Sequence, residues 1–109
     1  MFGEQLLEEP LPSWLEVHVK IKDSWIKLPV DPLFLLDECG DEECLTDFFE
    51  THVRDLVEKH YGGSIRVKKV DITLTRKGLK TVYTVETSRG LEYIVLVVHR
   101  RDVSPSQIT

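Results

Sequence analysis

LEVHVKIKDSWIKLPV, residues 15–30, is the stretch whose reading decides the fold. Leu15, Val17, Val19 and Ile21 alternate with Glu16, His18, Lys20 and Lys22, and a side-chain period of two marks a strand with one buried and one wet face. After Asp23-Ser24 the alternation resumes, with Ile26, Leu28 and Val30 inward and Trp25 and Lys27 outward, so the stretch predicts a β-hairpin. Pro29 has no N–H to give to a ladder, which puts the second strand at a sheet edge or ends it early.

Working outward toward the C-terminus, Asp31-Pro32 is a helix start, an acidic cap followed by proline at the first helical position, and Gly40 is placed to stop it. A short helix or turn is expected through Leu33 to Cys39. A second start at Asp41 opens the main helix. Leu45, Phe48, Phe49, Val53, Leu56, Val57 and Tyr61 recur there at three- and four-residue steps until Gly62-Gly63 ends the run. Beyond it, residues 65–75, 81–87 and 91–99 read as strands separated by Arg76-Lys77-Gly78 and Ser88-Arg89-Gly90. Inward positions shift from odd (Ile65, Val67) to even (Val70, Ile72, Leu74), which predicts a bulge at Lys68-Lys69. Residues 93–98, YIVLVV, are apolar on both faces, as in a central strand covered on both sides.

The fold class expected is therefore α+β: a single domain over 1–109, ordered β-β-α-β-β-β, with a mostly antiparallel five-stranded sheet and one main helix. One helix covers one face of such a sheet. Either the N-terminal extension, residues 1–13 with the adjoining Trp14, or a second copy of the chain is expected to shield the other, and a homodimer is the partner this implies. Residues 102–109 are polar and expected to be a disordered tail.

With 109 residues, 41% of them apolar and 30% charged, the chain has the size and composition of one globular domain, and no apolar run approaches the roughly 18 residues of a membrane span. The first residues lack a basic start and an apolar secretion segment, so a cytoplasmic location is expected. Asn and Ala are absent and Gln occurs only at 5 and 107, a loss of thermolabile amides that points to a hot-growing organism. The net charge of −5 is segregated. Residues 1–61 hold 15 acids against 5 Lys and Arg, and residues 62–109 hold 4 acids against 9, so a basic surface is available on an acidic protein.

Few constellations carry chemistry. Cys39 and Cys44, with four residues between them, span the junction of the two helical segments. A zinc site would need His52 and His60 as well, and these lie about 80° apart around the helix. A disulfide bracing the junction and two buried free thiols remain the alternatives, since hyperthermophile cytosols tolerate disulfides. The acids Asp37, Glu38, Asp41, Glu42, Glu43 and Asp47 point outward in different directions around helix starts, which suits a solvated turn better than Mg²⁺. Asp71, Glu86 and Glu92 resemble the acidic half of a PD-(D/E)xK nuclease site, but Ser88 stands where that family needs lysine. No serine occupies a nucleophile elbow, no glycine loop cradles phosphate, and His18, His52, His60 and His99 are isolated in sequence. No catalytic residues, metal or cofactor are assigned.

The most informative surface is the outward face of the first hairpin: His18, Lys20, Lys22, Trp25 and Lys27. An indole among lysines suits single-stranded DNA or RNA, because any base stacks on its face while the amines neutralise phosphates. Lys68, Lys69, Arg76 and Lys77 extend the path, with Arg66 and Lys80 beside them. The expected function is a small non-enzymatic protein that binds single-stranded nucleic acid. The alternative is a protein–protein interaction module, homodimeric, whose acidic half docks on a basic partner.

Overall fold

The computed structural model describes residues 15–39, 41–76 and 78–107. The hairpin of residues 15–30 forms as β1 (Leu15–Ile21) and β2 (Ser24–Leu28), antiparallel, with Ile21 opposite Ser24. Its two-residue turn puts Lys22 in the left-handed region at φ 57°. β2 is an edge strand that ends before Pro29, where a missing N–H costs nothing.

Helix α1 (Pro32–Asp37) begins as its sequence requires: the Asp31 carboxylate accepts from the Leu33 N–H at 3.0 Å, and Pro32 occupies the first turn. Asp41 caps α2 (Glu42–Phe48) in the same way, accepting from the Cys44 N–H at 2.8 Å. Gly40, expected to stop α1, lies outside the described residues.

The main helix is not uniform. Between α2 and α3 (Arg54–Tyr61) lies a π turn, Phe49–Val53. The physical reason is in the spacing. Leu45, Phe49, Val53 and Val57 are all buried and all four residues apart, a step that drifts by about 40° each time on a 3.6-residue helix. The wider i→i+5 turn takes up the drift and keeps the stripe on the sheet. Gly62, at φ 74°, closes α3 with a left-handed cap. Arg54 then ties this end of the helix to the chain that follows: it donates to Glu50 (2.6 Å), to Glu58 (3.0 Å) and to the Ile65 carbonyl (2.8 Å).

β3 (Arg66–Leu74), β4 (Gly78–Thr87) and β5 (Gly90–Arg100) complete one five-stranded antiparallel sheet in the order β2-β1-β5-β4-β3. The register of β3 on β4 shifts between Val67 and Lys69, where the change of inward positions requires a bulge. The double-sided apolar strand β5 is central. The helices pack on one face, against Val17, Val19, Ile21, Tyr83, Val85, Ile94, Leu96 and Val98. Tyr83 pins the helix there, its hydroxyl donating to the Leu45 carbonyl at 2.8 Å and its ring 4.6 Å from that of Phe49. Beyond β5, residues 102–107 carry a 3-10 turn, Pro105–Gln107.

Candidate functional site

Among the described residues no α-helix packs on the second face of the sheet. The register lays its side chains out in rows. Trp25, Lys20, Val95, Val82 and Asp71 form one row across all five strands, and Lys27, His18, Val97, Lys80 and Thr73 form the next. A third row, shorter, holds Tyr93, Thr84 and Lys69, followed by Glu86 beside Arg66. This face thus combines two aromatic rings with a valine centre and a surround in which Lys20, Lys27, Lys69, Lys80 and Arg66 outnumber Glu16, Asp71 and Glu86. Tyr93 is 63% exposed, unusual for so large a ring, while Trp25 is half-buried with the Lys20 ammonium 5.8 Å from its ring centroid.

The structure therefore brings together His18, Lys20, Trp25, Lys27 and Lys69. It does not bring Lys22 with them. That residue sits in the turn, and its ammonium lies 4.9 Å from the Tyr61 ring at the end of α3, on the helix side. Lys68 is exposed at the bulge and Arg76 at the β3–β4 turn, while Lys77 lies outside the described residues, as does the N-terminal extension with Phe2, Leu6, Leu7 and Trp14. Tyr93 belongs to the face although its residue pattern shows only an apolar strand.

Several cations are engaged by acids. Lys27 and Arg101 flank Glu16 at 3.3 and 3.4 Å, Arg66 meets Glu86 at 3.1 Å, and Lys69 reaches Asp71 at 3.8 Å. The lysine and arginine side chains in these pairs are 60–71% exposed, so the pairs are weak.

At one end of the face β1 meets β5 and two histidines converge. His18 Nδ1 lies 2.8 Å from His99 Nε2, across 81 residues of sequence. The opposite ring nitrogen, His99 Nδ1, is 2.7 Å from the Arg100 carbonyl, which can only accept, so Nδ1 carries a proton and, whenever the ring is neutral, Nε2 aims its lone pair at His18. Glu16, opposite His99 in the register, completes the only group of three potential ligands close enough for one ion among the described residues. Burial, reinforced by the neighbouring His99 and by Lys27 and only partly opposed by Glu16, holds the His18 imidazole below its ordinary pKa. Burial alone would raise the Glu16 carboxyl, but the Lys27 hydrogen bond and charge, with His18 and Arg101 behind them, hold it below the carboxylate norm. Sequence inspection treats these histidines as isolated because the β1–β5 pairing that joins them is encoded by no local pattern.

The other constellations take different forms. Cys39 and Cys44 are joined as a disulfide with their Cα atoms 5.2 Å apart. His52 stacks against Phe48 at 4.6 Å and His60 Nδ1 lies 2.9 Å from the Leu56 carbonyl, so neither serves the cysteines. Of the three nuclease-like acids, Asp71 and Glu86 share the second face with the lysines, whereas Glu92 lies on the helix face, 3.5 Å from the Tyr61 hydroxyl. No helix among the described residues is long and apolar enough to cross a membrane. No protein-family model matches the chain, and neither a curated protein nor a solved structure matches it.

Proposed function

We propose that the chain is a non-enzymatic binding protein whose second sheet face, opposite the helices, takes single-stranded DNA or RNA. The observation that carries the reading is the pairing on one face of Trp25 and Tyr93 with Lys20, Lys27, Lys69, Lys80 and Arg66. Flat antiparallel sheets with exposed rings are stacking platforms for unpaired bases, and the surrounding cations neutralise the phosphates between them. In this reading Trp25 and Tyr93 stack on bases, Lys20, Lys27 and Lys69 hold phosphates, and Arg76 in the adjoining turn guides the strand.

Labelled oligonucleotides titrated at low and moderate salt test it. Trp25→Ala and Tyr93→Ala are each expected to weaken binding by about 1–3 kcal/mol, the contribution of one stacking platform, and affinity is expected to fall steeply with salt. Absence of binding even at low salt, where attraction to phosphate is strongest, rules the reading out.

The half-buried valines at the centre of the face, Val82 and Val95, favour a second reading in which a copy of the chain docks there as a homodimer. Light scattering separates the two. Loss of a dimer on Trp25→Ala makes that ring an interface residue and removes it from base stacking.

A further inference from the structure

We infer that Glu16, His18 and His99 form a binding site for one divalent transition-metal ion of the zinc class, independent of the nucleic-acid reading. The three ligand atoms lie within 4.8 Å of one another, and His99 is buried to 1% exposure. Two imidazoles and a carboxylate suit Zn²⁺, Co²⁺ or Ni²⁺ and not the oxygen-seeking Mg²⁺ or Ca²⁺.

The second layer is in place. The Arg100 carbonyl fixes the proton of His99 on Nδ1, so that Nε2 offers its lone pair, the arrangement that orients metal-bound histidines in general. His18 Nδ1 faces the same point and at present donates its proton to His99. When an ion enters, that proton moves to Nε2 of the same ring, which stays neutral, and both facing nitrogens become ligands. Zn–N bonds of about 2.0–2.1 Å at a tetrahedral angle set two nitrogens about 3.3 Å apart, so the rings, now at 2.8 Å, part by about half an ångström. His18 is only half-buried and has room to make this move.

The cost lies with Glu16. Its present partners, Lys27 and Arg101, have side chains 60% exposed, and at least one must swing into water as the ion takes its place. The ion thus competes with these cations, which a histidine pair binding metal adventitiously would not show.

The test uses the untagged, disulfide-intact chain with Co²⁺ and Zn²⁺ alone and no oligonucleotide. One equivalent of Co²⁺ is expected to give visible ligand-field bands that Zn²⁺ abolishes. His18→Gln and His99→Gln are expected to weaken binding by about tenfold or more, and His52→Gln with His60→Gln to leave it unchanged. Since His99 is buried and its variant is prone to unfold, the half-exposed His18→Gln decides, with circular dichroism confirming the fold. Lys27→Gln is expected to tighten binding by about twofold to fivefold, while on the nucleic-acid reading the same substitution weakens oligonucleotide binding. Absence of binding up to millimolar metal, retention of affinity in His18→Gln, or equal or weaker binding by Lys27→Gln overturns the site.

Discussion

Two side chains show how the core balances polar groups. Thr81 is fully buried on the helix side of the sheet, opposite Ile72 and Leu96, and its hydroxyl has no hydrogen-bond partner among the described residues. A buried, unpaired hydroxyl costs about 1–3 kcal/mol, so Thr81→Val, which keeps the branched shape, is expected to raise stability by about 1 kcal/mol in urea unfolding. A lower midpoint would mean that the hydroxyl has a partner. Tyr83 is the opposite case, buried but paired with the Leu45 carbonyl. Burial holds its phenol well above the ordinary value near 10, so the folded chain keeps the proton while the unfolded chain loses it. The contribution of Tyr83 is therefore complete below about pH 10 and declines as pH rises beyond that, by about 1.4 kcal/mol per unit. Tyr83→Phe is expected to be about 1 kcal/mol less stable at neutral pH, for the lost hydrogen bond, and to show a shallower alkaline decline. Parallel alkaline curves for the two proteins would contradict this.

The elements follow local signals closely. Caps at Asp31 and Asp41, the left-handed stop at Gly62 and the bulge between Val67 and Lys69 are all legible because each depends on residues within a few positions. The π turn is the exception. Four-residue spacing along Leu45, Phe49, Val53 and Val57 contains the information, but the drift matters only once there is a sheet to face. Strand β4 begins at a place only packing explains: a Cβ on Gly78 would run into the Val98 carbonyl oxygen of β5. The junction of α1 and α2 is braced by the Cys39–Cys44 bridge, which closes a loop with a sequence separation of 5. Loop-closure entropy for so short a loop is worth about 2 kcal/mol, so reduction, or Cys39→Ser with Cys44→Ser, is expected to lower stability by that amount without changing the strand content seen by circular dichroism. An unchanged unfolding midpoint under reductant would show the bridge to be energetically idle.

For the whole molecule, the sheet gathers lysines on one side while Glu42 and Glu43 lie exposed in the first turn of α2, part of the layer that covers the other. On the proposed function these acids oppose a polyanion at a distance. Lys80→Glu is expected to weaken oligonucleotide binding strongly, and Glu42→Lys to strengthen it modestly at low salt. The gain from Glu42→Lys is expected to vanish near 0.15 M salt, where the screening length is about 8 Å, less than the thickness of the layer between. Equal effects of the two substitutions would contradict a sheet-face site.

The sequence by itself determined the α+β class, the element order, the caps and the outward position of Trp25, because alternation, helical spacing and capping are short-range properties of the chain. The tertiary structure alone decided which outward residues become neighbours. It set Tyr93 on the face of Trp25, turned Lys22 away to Tyr61, separated Glu92 from Asp71 and Glu86, and joined His18 to His99 across 81 residues. The reason is register: alternation fixes the face a side chain takes on its own strand, but only strand pairing, chosen by closing the core on the other side, fixes what stands beside it.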